Sequence, residues 1–263
     1  MITINIDPVI FHVGHFALRW YGVIVAASIG VGVWLGSREA KRKGLPVTDF
    51  QDAVTWVILG GLIGARLFHV LDHWPHEYAS DPMRALFIWE GGLAIWGGVV
   101  GGFLALALFA WRRRLNLARL ADIAVPGLVL AQGLGRVACI LTGDAMGKPT
   151  QGPFGIAYTN PGAMVPALGV YYTPLPVLEL VMNLGIFAIV WTLRKKPWPD
   201  GALFLLYLGL YSTGRFLSAY ASAYQIVAFG LTQSQIVALI ALAVALPLGL
   251  RTLMRNRRSP APA

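Results

Sequence analysis

Apolar positions in this chain neither alternate with polar ones nor recur at helical spacing; they run on unbroken. Stretches at about 16–36, 52–71, 87–111, 121–141, 174–193, 202–220 and 232–250 are almost wholly apolar. Each is close to the roughly 20 residues that a helix needs to cross a bilayer. The pattern predicts an all-α integral membrane protein of about seven spans. A single polytopic domain is expected over residues 1–250, followed by a short basic tail, 251–263, which is Pro/Ala-rich at its end. Neither a separate soluble domain nor an internal repeat is visible.

Composition agrees with this class. Only 13% of residues are charged and 57% are hydrophobic, where soluble domains carry about a quarter charged. The charges that exist are placed unevenly. Arg38, Lys41, Arg42 and Lys43 follow the first span, and Arg112, Arg113, Arg114 and Arg119 follow the third. Arg194, Lys195 and Lys196 follow the fifth, and Arg251, Arg255, Arg257 and Arg258 lie after the seventh. The alternate loops hold Arg84 and Lys148. By the positive-inside rule the N-terminus is outside and the tail cytoplasmic. The net charge of +9 is then a topology signal and a contact with anionic lipid, and nucleic-acid binding is not expected.

Against that background, Arg19, Arg66, Arg136 and Arg215 stand out because they interrupt the apolar stretches. An arginine near mid-bilayer costs about 2.5–3.5 kcal/mol, so four unpaired ones would cost roughly 10–14 kcal/mol, comparable to the whole stability of a domain. The topology puts all four toward the outer leaflet, where Glu90, Asp144 and Glu179 also fall. A charged chamber opening there, with an anionic ligand, is expected. Purely architectural ion pairs and snorkelling to the interface are the alternative.

Glycine marks two further places. WEGGLAIWGGVVGG, residues 89–102, permits close helix packing, and Gly91 and Gly92 beside Glu90 are where irregular backbone is expected. In GLGRVACILTGDAMG, residues 133–147, Arg136 is followed by Thr142 and Asp144, while Gly143 and Gly147 permit a turn. Bidentate arginine donors and turn amides could together cradle a phosphate. The outer loop, about 142–173, is long, rich in Gly, Pro, Thr and Tyr, and nearly uncharged; a lid over the outer face is expected, with a disordered loop as the alternative.

The lone cysteine, Cys139, gives no disulfide framework and reads as a packing residue. The opening MITINIDPVIFHVGHF lacks a basic n-region and a small-residue cleavage site, so the first span is expected to stay in the mature protein. His69, His73 and His76 share a helix face, but Pro75 interrupts it. Contact with head groups is expected of them rather than metal binding, although a histidine near the outer surface is also a candidate general base. No metal or other cofactor is expected.

Several ordered pieces, IDPVIFHVGHFALRWYG at 6–22, GARLFHVL at 64–71, WEGGLAIWGG at 89–98, GLGRVACILTGDAMG at 133–147, TPLPVLE at 173–179, GRFLSAY at 214–220 and GLTQSQ at 230–235, together resemble the bacterial prolipoprotein diacylglyceryl transferases. The resemblance covers about residues 5–250. It implies transfer of the diacylglyceryl group of phosphatidylglycerol to the cysteine thiol of a lipoprotein signal peptide, with glycerol phosphate released, at the outer face of the bacterial plasma (inner) membrane. The implied partners are phosphatidylglycerol, prolipoprotein signal peptides and membrane lipids, and a monomer is expected.

By the same resemblance Arg136, Arg215 and Tyr21 are the catalytic residues. The head group is expected to meet Arg136, Arg215, Arg66, Gly91, Gly92, Gly97, Gly98, Thr142, Gly143, Asp144 and Gly147, with Glu90, Glu179 and Trp96 in support. The chain departs from the family pattern at Trp96, where many members have histidine; at Cys139 and Thr142, where asparagine is usual; and at Asp144, where glutamate is usual. Thr173, Leu178 and Ala219 replace the usual histidine, tyrosine and glutamate. These losses make a non-catalytic, anionic-lipid-binding relative the second reading. A lipid or anion transporter is the third, disfavoured by the absence of repeats and of a midplane site.

Overall fold

The computed structural model describes residues 1–14, 16–88 and 91–258. Its seven long helices are α1 (Trp20–Arg42), α2 (Val47–Asp72), α3 (Ile95–Arg113), α4 (Leu117–Thr142), α5 (Leu175–Leu193), α6 (Ala202–Ser218) and α7 (Gln233–Arg258). All seven are long and apolar enough to cross a membrane. Helices suit that medium because every backbone polar group is satisfied within the segment.

Two spans start four or more residues later than expected. Residues Phe16–Arg19 form a strand, so the first helix begins at Trp20. The third begins at Ile95 rather than near 87, because Gly91 and Gly92 adopt φ of +92° and +73°, which a right-handed helix does not allow. Short strands, not read from the apolar runs, decorate the helices: β1 (Ile2–Ile4) pairs in parallel with β4 (Ile156–Tyr158), and β2 (Val9–Val13) forms a hairpin with β3 (Phe16–Arg19). A second hairpin joins β5 (Ile226–Ala228) to β6 (Leu231–Thr232). Its end starts α7 through a capping box, in which Gln235 Oε1 accepts from Thr232 N at 2.9 Å.

The chain divides into two compact units, residues 37–120 and residues 1–36 with 121–263. In the first, α2 and α3 approach through glycines. A Cβ on Gly64 would lie 2.3 Å from the Gly97 carbonyl oxygen, and one on Gly101 would lie 2.3 Å from that of Gly60. Any larger residue would force the helices apart.

In the second unit α4, α5 and α6 share an apolar cluster, Val125, Val129, Ile186, Val190, Leu203 and Tyr207. These residues come early in α4 and α6 and late in α5. The opposite end of the same three helices therefore holds late α4, early α5 and late α6. The loop from 143 to 174 is ordered around its own cluster, Met146, Ile156, Tyr158 and Tyr172. Tyr158 is fully buried and its hydroxyl donates to Ile140 O at 2.5 Å, tying the loop to the end of α4.

Candidate active site

Late α4, early α5 and late α6 contribute Arg136, Glu179 and Arg215, and these three side chains meet. Arg136 Nη2 lies 2.6 Å from Glu179 Oε2, and Arg215 Nη1 pairs with Glu179 Oε1. Among the described residues Arg215 Nη1 finds no acceptor besides that carboxylate. Glu179 is 2% exposed, whereas the Arg136 and Arg215 side chains are 24% and 18% exposed. The acid is thus sealed beneath two cations that can still be reached. Each guanidinium has five N–H donors, which one shared carboxylate cannot exhaust.

Neighbouring groups fix this centre. Asn183, one turn along α5, donates to Glu179 O at 2.7 Å, and Ser218 Oγ donates to Glu179 Oε1 at 3.4 Å. Arg136 Nη1 lies 3.8 Å from Cys139 Sγ, which lies 3.9 Å from Asp144 Oδ2. Tyr21, second residue of α1 and 41% exposed, is within electrostatic reach of Arg136, Cys139 and Asp144. Tyr211 is within reach of Arg136, and the Arg215 guanidinium stands 5.7 Å from the Tyr224 ring centre. Thr142 is buried with its hydroxyl on Ala138 O, and Gly143 takes φ +80° to turn the chain toward Asp144. At Gly147 a Cβ would lie 2.4 Å from Ala221 O, so this glycine lets the loop pass the end of α6.

Arg66 and the glycines of the third apolar run belong to the unit 37–120. There Arg66 is 8% exposed and donates to the carbonyls of Ala85, Gly91, Gly92, Arg84 and Phe87 at 2.6–3.2 Å. This buried cation is met by backbone oxygens, which anchor the irregular segment before α3. Gly92 must be glycine for this, since a Cβ would lie 2.7 Å from Arg66 Nη1. Gly97 packs against Gly64, and a Cβ on Gly98 would lie 3.6 Å from that of Ala65; Trp96 is half-buried. Arg19 is exposed on β3, outside the helices. Glu90 lies outside the described residues.

The profile of the family described as prolipoprotein diacylglyceryl transferase matches residues 8–250. The chain belongs to this family. A relative in Dehalococcoides mccartyi named phosphatidylglycerol–prolipoprotein diacylglyceryl transferase is 35% identical over 260 residues, 98% of each chain. Proteins of the same name in Geobacillus kaustophilus and Trichormus variabilis are 37% and 35% identical, covering 80% and 79% of this chain and 79% and 76% of their own. This transferase family and the seven apolar helices together make the chain a multi-pass membrane protein. Within the family frame the sequence reading overlooked Tyr211, Ser218 and Asn183. Each lies three or four residues from Arg215 or Glu179, so helical spacing was the available signal.

Proposed function

We propose that this chain transfers the diacylglyceryl group of phosphatidylglycerol to the lipobox cysteine of prolipoproteins, the first step of bacterial lipoprotein maturation. The observation that carries the proposal is the meeting of Arg136 and Arg215 on one buried carboxylate. Family membership and the names of the relatives support the substrates. The basic loops support an orientation with the N-terminus outside, the tail cytoplasmic and the site toward the outer leaflet of the plasma membrane. In this reading the loop 142–173 is the lid of the site.

In the reaction the peptide's thiol sulfur attacks the glyceryl carbon bearing the phosphate. A C–S bond forms as the C–O bond breaks, the phosphate oxygen leaves with the bonding pair, and the thiol proton passes to a base. The leaving group starts as a singly charged diester and ends as a monoester carrying about −1.5 to −2 at pH 7. Negative charge therefore grows where Arg136 and Arg215 can stabilise it. Asp144 is the proposed proton acceptor. Both Glu179 oxygens are held by guanidinium groups, whereas Asp144 Oδ2 lies 3.9 Å from the Cys139 thiol. Tyr21 orients the head group and the turn at Thr142, Gly143 and Gly147 frames it; within the unit 37–120, Arg66 with Gly91 and Gly92 holds that unit's own irregular backbone.

The test is a mass-shift assay in liposomes containing phosphatidylglycerol, with a lipobox peptide and its cysteine-to-serine control. An adduct on the cysteine peptide alone is expected, and Arg136→Ala and Arg215→Ala should each lower turnover by about 10²–10³. Folded, lipid-binding protein that makes no adduct overturns the proposal in favour of a non-catalytic relative.

A further inference from the structure

Glu179 is puzzling in a site for a phosphate. It is buried at 2% exposure, bears the same sign of charge as the ligand, and takes no bond-making part in the transfer above. Yet its placement is tightly specified. Its two oxygens engage different arginines, Ser218 donates to one of them, and Asn183 bonds its backbone oxygen. The two cations and one anion sum to +1, which balances a singly charged phosphodiester. Without the Glu179 charge the two arginines would present +2 and hold the phosphate strongly once the C–O bond breaks and it becomes a monoester of nearly two charges.

We infer that Glu179 sets the charge the site accepts: by cancelling one arginine charge it matches the site to a singly charged phosphodiester head group and keeps the phosphomonoester product from being trapped. This rests on the transfer reading above. A fixed charge about 5 Å from another, at an effective dielectric of about 20, changes an equilibrium by more than a hundredfold. Partial exposure of the arginines reduces that, so a tenfold effect or more is expected. Glu179 acts here as a specificity-determining residue that works through the two arginines.

The experiment measures calorimetric dissociation constants of detergent-solubilised protein for two soluble probes. Glycerophosphoglycerol carries one charge, and sn-glycerol 1-phosphate carries nearly two. Glu179→Gln should tighten the monoester at least about tenfold more than the diester, while Glu179→Asp, which keeps the charge, should hold the wild-type ratio. An unchanged ratio in Glu179→Gln overturns the inference. Where that variant does not fold, wild type alone decides. As pH rises through about 6, the second ionisation of the monoester should tighten its binding relative to the diester by about tenfold, the worth of one net positive charge, and a tightening of about a hundredfold, the worth of two, overturns the inference. The liposome assay separates the two ideas: adduct formation with an unchanged ratio leaves the transferase standing without this role, and a shifted ratio without any adduct does the reverse.

Discussion

Removing the Asp122 carboxylate should detach the start of α6, the helix that carries Arg215. Asp122 lies in α4 at 1% exposure, and its two oxygens accept from Gly201 N at 2.9 Å and Phe204 N at 2.8 Å. Those amides sit at the N-cap and in the first turn of α6, where no intrahelical acceptor exists. Gly201 itself has no side chain to cap them, so the cap comes from another helix. A hydrogen bond to a charged group contributes about 1.5–3 kcal/mol, so two give about 3–6. The Phe204 contact is only partly buried and water can recover some of its loss, which favours about 3–4 kcal/mol for Asp122→Ala. Asp122→Asn keeps one acceptor oxygen and should lose about half as much. Unfolding in detergent gives the global value, and hydrogen exchange at residues 201–205 gives the local one. An alanine variant within about 0.5 kcal/mol of wild type, or one with unchanged exchange at Gly201 and Phe204, would refute the reasoning.

Two further outcomes are open to measurement. Arg66→Lys has three donors for five carbonyls, so hydrogen exchange and proteolysis should rise in residues 84–88 and at 91 and 92, and exchange that does not move would show that the segment is held by other means. Burial raises the Tyr158 phenol well above its ordinary value near 10, so its bond to Ile140 O persists at neutral pH. Tyr158→Phe should cost about 0.5–1.5 kcal/mol at pH 7. The folded state prefers the protonated phenol, so that advantage is complete below about pH 10 and is lost as pH rises through the folded value. The gap between wild type and variant should therefore narrow in unfolding curves above pH 10; a constant gap contradicts the assignment.

The positions of Arg66, Arg136 and Arg215 within helical apolar runs were legible from the sequence, but their partners were not, and Arg19, read as part of the first span, lies on β3 instead. Arg66, Arg136 and Arg215 all read as intramembrane cations with candidate acids nearby. Only the fold distinguishes Arg66, whose five acceptors are backbone oxygens, from Arg136 and Arg215, which share Glu179. The acceptors of Arg66 become available because Gly91 and Gly92 break the helix and turn carbonyls outward, a choice of backbone geometry that composition only permits. Likewise, an uncharged loop rich in glycine and tyrosine did not decide between order and disorder. Burial of Met146, Ile156, Tyr158 and Tyr172 and pairing of β1 with β4 decide it.

What the sequence by itself determined is the helical membrane architecture, because span length and the scarcity of charge are properties of continuous segments that a bilayer reads one at a time. The family is equally legible, since ordered motifs survive in one dimension. The tertiary structure alone decided which acid joins which arginines. Residues 136, 179 and 215 come together only because α4, α5 and α6 pack on one apolar cluster at their other end. That packing is a three-body matter of shape and helix register, and no single span carries it.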